Sequence, residues 1–138
     1  MHRVKHWMVG LPLMGALAGV QAGGAGLAWS QVNSLAELPP ALRTSLQNEE
    51  GLSDRGGPFN PGCVKTDDTP SSRFVLGARS ADTVVVAVER GGFAHFVETL
   101  EFRQQHGAWT LAARGTGTLR VASADALLAQ HKQSVHPV

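Results

Sequence analysis

Apolar and polar positions alternate along this chain in four successive styles. The first is a single uncharged apolar run, WMVGLPLMGALAGV at residues 7–20, preceded by MHRVKH with Arg3 and Lys5. The second is helical: in SLAELPPALRTSLQNEEG, Leu35, Leu38, Leu42 and Leu46 recur at spacings of three and four. Ser34 and Glu37 have capping-box spacing, while Pro40 suits the first turn of a helix that begins just before it. Pro39 disfavours helical geometry at Leu38, so the pattern predicts a short turn over residues 34–38 and a helix from Pro40 to about Asn48, ended by Gly51.

The third style is period two. RFVLGARS puts Phe74, Leu76 and Ala78 on one face, and DTVVVAVER puts Val84, Val86 and Val88 on one face with Val85 and Ala87 on the other. Valine on both sides predicts an interior strand buried on two faces, covered by the C-terminal helix or by another subunit. Gly91-Gly92 predicts a two-glycine hairpin into FAHFVETLEFRQ. After a break at Gln105-His106-Gly107, AWTLAARG puts Trp109, Leu111 and Ala113 on one face. The last style, SADALLAQHKQ, is weakly amphipathic, with Ser123 as cap and Ala124, Leu127, Leu128 and His131 along one side; His136, Pro137 and Val138 form a disordered end.

These elements predict an α+β fold: an N-terminal helix packed on a four-stranded antiparallel β-meander, with a short C-terminal helix. The corresponding divisions are a secretory signal peptide at residues 1–22, a flexible lead-in at 23–33, one α+β domain at 34–121, and a weak helix with a disordered tail at 122–138. The signal assignment follows from order: basic residues, an apolar run interrupted by Pro12, then the small-residue cleavage site Val20-Gln21-Ala22. The glycine-rich stretch after it is too polar to extend the run into a spanning helix. The expected location is therefore periplasmic or extracellular, with contact to membrane only through the signal segment if it stays uncleaved.

Between the helix and the first long strand, residues 51–72 lack periodicity and carry Gly56, Gly57, Pro58, Pro61, Gly62 and Pro70. Asn60-Pro61-Gly62-Cys63 has the residue preferences of a type II turn. A loop of this length in a small domain is a candidate for function.

Charge narrows the partners. Removing Arg3 and Lys5 leaves ten basic residues against eleven acids, and the formal charge moves from +1 to −1. Without a basic cluster the mature chain offers little to a phosphate backbone, so nucleic acid is excluded as a partner. Cys63 is the sole cysteine and cannot form an internal disulfide, so packing must hold the fold.

Candidate chemistry is sparse. No Walker loop, dinucleotide-binding glycine pattern, HExxH or CxxC is present. Asp67-Asp68 lacks the alternating oxygen ligands of an EF-hand loop and is assigned to a solvated turn. His95 and His106 have no third ligand in reach, so no metal and no cofactor is expected. In the third strand the even positions, Ala94, Phe96, Glu98, Leu100 and Phe102, form the expected buried face. Glu98 interrupts it, either as an acid with a raised pKa, or turned outward by a bulge near Val97, or paired across strands with Arg73, Arg79 or Arg114. The paired or bulged readings are preferred because structural charges in sheets outnumber catalytic ones.

Cys63 is read first as a packed small side chain, then as an intermolecular disulfide partner, and last as a nucleophile with His95 or His106 as base. The functional expectation is a small exported, non-enzymatic binding module. Its contact surface is assigned to Phe59, Asn60, Cys63, Gly91 and Gly92, with a protein, a peptide, an envelope component or a second copy of the chain as partner. The alternative is a small cysteine-dependent enzyme or redox protein using Cys63.

Overall fold

The computed structural model describes residues 28–65 and 67–138; the segment assigned to the signal peptide lies outside them. The protein is α+β, with a six-stranded antiparallel sheet and two helices. The strands are β1 (Ser30–Val32), β2 (Ser72–Arg79), β3 (Thr83–Arg90), β4 (Phe96–Gln105), β5 (Ala108–Gly117) and β6 (His136–Pro137), and the sheet follows that sequence order from one edge to the other. The helices are α1 (Pro40–Glu50) and α2 (Ala124–Ser134). Among the described residues no helix is long and apolar enough to cross a membrane.

The helix starts follow from local chemistry. A 3-10 turn, Leu35–Glu37, opens at Ser34, whose hydroxyl accepts from the Ala36 N–H. Glu37 reaches back one residue further than a capping box requires, accepting from the Asn33 N–H. α1 begins at the second proline and runs two residues past the expected end. Gly51 stops it in the left-handed conformation, φ 55°. α2 is capped by the Ser123 hydroxyl, which accepts from the Ala126 N–H.

Two apolar layers enclose the sheet. On one face Leu35, Leu38, Leu42 and Leu46 pack on Phe74, Val84, Val86, Val88, Leu100 and Phe102. On the other, Ala124 and Leu127 of α2 pack with Leu76, Ala78, Val85, Ala87 and Val97. The valine run of β3 is thus buried on both sides within one chain, with α2 as the second cover. Burial of this many branched side chains, at roughly 1.5–3 kcal/mol each, is the main term holding a domain without a disulfide.

Several expectations are corrected. The four-stranded meander gains an edge strand at each side. Residues 30–32, placed in the flexible lead-in, pair with β2, and Val32 is buried. Residues 136–137, read as a disordered end, pair with Ala113 and Arg114 of β5, and the Val138 N–H donates to Ala112. Three-residue and two-residue strands are too short to display a period. A bulge in β2 between Phe74 and Leu76 turns these two residues to opposite faces, so Leu76 and Ala78 face α2 while Phe74 faces α1. A second irregularity, opposite Glu101 and Phe102, likewise separates Leu111 from Ala113 on β5.

The tight hairpin is not at Gly91-Gly92 but at His106-Gly107. There Gln105 pairs with Ala108, and both turn residues have positive φ, 51° and 80°. β3 and β4 are joined instead by five residues, 91–95, and β4 starts only at Phe96. Ala94 and Phe96 are exposed rather than buried, while Val97 and Thr99 of the other face are buried under α2.

Candidate functional site

The long loop and the β3–β4 connection meet at one end of the sheet. Residues 51–65 and 67–71 form no helix or strand but are fastened at successive points. Ser53 bridges β2 through Ser53 N–H to Ser72 and Phe74 N–H to Ser53, and its hydroxyl donates to Pro58 at 2.7 Å. The Asp54 carboxylate accepts from the Leu35 N–H and the Ser34 hydroxyl, tying the loop to the start of the helical layer. Further along, Asn60 N–H donates to Pro70, Gly91 N–H to Ser71, and Gly92 N–H to Pro61.

Gly91 is required here by close approach rather than by a turn. A Cβ on it would lie 2.1 Å from the Asn60 carbonyl oxygen and 2.8 Å from the Pro61 Cα, both backbone atoms. The expected type II turn is also replaced. Gly62 does not have the positive φ that such a turn needs; the Asn60 side chain instead accepts from the Gly62 N–H and donates to the Val64 carbonyl. An Asx turn therefore does the work assigned to the Pro-Gly pair.

Beneath this junction lies a charged brace. Arg73 donates to Glu89 from Nε and Nη2, at 3.1 and 2.7 Å, and from Nη1 to the Gly57 carbonyl. The His95 Nε2 lies 2.7 Å from the second Glu89 oxygen. The Phe59 ring sits between these groups, 4.7 Å from the Arg73 guanidinium and 5.7 Å from the His95 ring. Burial pushes the Glu89 carboxyl up, but the hydrogen bonds and charges of Arg73 and His95 outweigh it and hold it below the ordinary range.

Glu98 belongs to a second brace next to the first. It accepts from Arg90 Nε and Nη2 at 2.9 and 2.7 Å and from Arg114 Nη1 at 2.5 Å, while Arg90 also donates to the Ser72 hydroxyl. It is a paired cross-strand charge. Arg114 is among its expected partners; Arg90, eight residues before it across the β3–β4 connection, is not.

The structure thus brings Asn60, Gly91 and Gly92 into direct contact and sets Phe59 beside them as a half-buried brace. Cys63 is exposed on the same loop, which overturns its first reading as a packed small side chain. His95 is at this end of the sheet, engaged with Glu89, whereas His106 is in the turn at the opposite end. Sequence reasoning missed the groups this end presents to solvent: Phe93 is fully exposed, and Val64 (70%) and Phe96 (43%) are also open. An exposed phenylalanine in a loop looks, in sequence, like the first residue of a strand.

Sequence reasoning also missed a polar network under α2. His131 is buried, with Nδ1 2.8 Å from the Thr99 hydroxyl and Nε2 2.8 Å from Glu101, whose other oxygen accepts from Arg103 Nε at 2.7 Å. Burial pushes the Glu101 carboxyl up, but the bonds and charges of His131 and Arg103 prevail and hold it low. With Glu101 ionised, His131 donates from Nε2, and the Thr99 hydroxyl donates to Nδ1 when the ring is neutral. Hydroxyl, imidazole and carboxylate are connected as in an acyl-transfer triad, but Thr99 is fully buried and beyond the reach of a substrate. The arrangement seats α2 on the sheet. No family model matches this chain, nor does any curated protein or solved structure.

Proposed function

We propose that the chain is a small exported binding module that engages a protein or peptide partner through the end of the sheet where residues 51–71 meet the β3–β4 connection. The observation that carries this reading is Phe93, fully exposed on a five-residue connection that is hydrogen-bonded at Gly91 and Gly92 to the long loop. An aromatic ring held out on a braced backbone loses little conformational freedom on contact, which is the property of an interface anchor. Val64, presented by the Asn60 Asx turn, adds a second apolar group on the same loop structure. Export is proposed from the order of Arg3, Lys5 and the apolar run.

The test is affinity capture from envelope extracts with the wild-type chain and with a Phe93→Ser, Val64→Ser double variant. Both side chains are exposed, so the variant should keep its melting temperature and lose a partner that the wild type retains. Identical captured sets would count against the surface.

Cys63 supports a second reading, a cysteine-dependent enzyme or redox protein, because it is exposed and shares the loop with Phe59, which touches His95. Alkylation of native Cys63 at neutral pH that slows in His95→Gln would favour it; a rate equal to that of a free thiol in both proteins would remove it.

A further inference from the structure

A cavity of about 520 Å³ opens between α2 and the β3–β4 face of the sheet, on the side of the molecule where the β2–β3 turn and the end of β4 lie. This end is opposite to the Phe93 surface. The volume is in the range of small-molecule sites, roughly 300–1,000 Å³. Its walls are apolar: Trp29, Val85, Leu128 and Val135. Its polar groups are concentrated where Glu101 and Arg103 leave β4 and Lys132 leaves α2.

The state of those polar groups selects the ligand. Both oxygens of Glu101 are engaged, one by Arg103 Nε and the other by His131 Nε2, so this carboxylate has its charge matched within the protein. Holding Arg103 by Nε fixes the guanidinium and leaves Nη1 and Nη2 without a protein partner among the described residues. Lys132 likewise has no hydrogen bond or ion pair among the described residues, and neither has the Trp29 indole N–H. The uncommitted groups facing the cavity are thus mainly donors: the two Arg103 Nη groups, whose charge is shared with Glu101, the Trp29 indole N–H, and the Lys132 ammonium, which has no carboxylate partner among the described residues. Asp82 is the opposing charge: one oxygen accepts from the Thr83 hydroxyl and the carboxylate has no cationic partner among the described residues.

We propose that this cavity binds a small molecule made of an apolar body and a carboxylate, the body lying against Trp29, Val85, Leu128 and Val135 and the carboxylate meeting Arg103 and Lys132. The two Nη groups of a guanidinium whose Nε is already bound present a planar pair of donors that matches a carboxylate, and Lys132 adds a second charge from the helix side. His131 acts as a positioning residue, since it holds Glu101, and Glu101 holds Arg103.

The test is a titration of the full-length chain with octanoate, octylammonium and acetate, followed by amide and indole NMR shifts, with the Trp29 indole assigned by substitution. Octanoate should give saturable shifts at Trp29, Val85 and Leu128, and acetate, which lacks the body, should give none. Lys132→Gln and Arg103→Gln should each weaken octanoate about fivefold, equivalent to about 1 kcal/mol, and Asp82→Asn should tighten it by a similar factor. Lys132 has no structural contact to lose, so its variant stays informative even where Arg103→Gln disturbs β4. Octylammonium binding as tightly as octanoate, shifts that never saturate, or shifts that map away from Trp29 would overturn the proposal.

Discussion

Replacing Gly115 with alanine should detach α2 from the sheet at one defined point. Gly115 lies opposite Thr99 in the β4–β5 ladder. A Cβ built there would sit 2.7 Å from the Thr99 hydroxyl, 2.7 Å from the Ser134 hydroxyl and 3.3 Å from His131 Nδ1. Thr99 is β-branched, fully buried and unable to swing away without leaving its well. Ser134 is committed too, accepting from the Thr116 N–H and within donating distance of the Thr116 and Gln130 carbonyls. Relief therefore requires α2 to lift, which stretches the His131 bonds to Thr99 and Glu101. Overpacking costs about 1–3 kcal/mol and the weakening of the two His131 hydrogen bonds, at about half a kcal/mol each, about 1 kcal/mol more, so the expected loss is about 2–4 kcal/mol. In thermal unfolding followed by circular dichroism this corresponds to a drop of roughly 10 °C. Gly117→Ala is the graded comparison: its nearest atoms are the Gln130 side-chain oxygen at 3.0 Å and the buried Val97 Cγ1 at 3.1 Å, both farther than the 2.7 Å contacts at Gly115, so it should lose less than Gly115→Ala, about 1 kcal/mol. A Gly115→Ala protein within about 0.5 kcal/mol of wild type would refute the seating of α2 through His131.

Gly91→Ala forces a Cβ against backbone atoms of Asn60 and Pro61, so residues 51–71 should be cleaved faster in limited proteolysis while the sheet core stays protected in hydrogen exchange. Glu98→Ala leaves Arg90 and Arg114 facing each other across β4 at partial exposure; urea unfolding should report a loss of about 2 kcal/mol, less than the 3–5 kcal/mol of a fully buried pair. Glu89 and Glu101 are both held below the ordinary carboxylate range, so their stabilisation is complete above the unfolded glutamate value, roughly 4.3, and is lost as the pH falls through it toward the folded values. The urea midpoint should therefore decline with acidification below that value, and Glu101→Gln should make the decline shallower.

The parts of the fold legible in the sequence are those with a strong local signal. Pro40, Gly51 and Ser123 mark helix ends that the structure keeps, and the Val84–Val88 alternation announced a strand covered on both faces. What escaped has a tertiary cause. The bulge beyond Phe74 reverses the side-chain parity of β2, and no residue at Val75 advertises it. Gly91-Gly92 resembles a hairpin turn because glycine serves tight turns and close approach alike, and only the position of Asn60 distinguishes the two uses. At the candidate site Asn60, Gly91 and Gly92 were legible as irregular backbone, but their mutual contact depends on where residues 51–71 fold back. His131 appeared as one more residue on an amphipathic stripe; its partners Thr99 and Glu101 come from β4 thirty or so residues earlier, and Gly115, which makes room for them, comes from β5.

The central claim is that the Phe93 end of the sheet is a contact surface for a protein or peptide. A photo-crosslinking amino acid placed at residue 93, and separately at His106 in the turn at the opposite end, tests it directly in the cell that makes the protein. The account predicts a discrete crosslinked adduct from position 93 and none from position 106. Equal adduct patterns from both positions, or none from position 93, would contradict it.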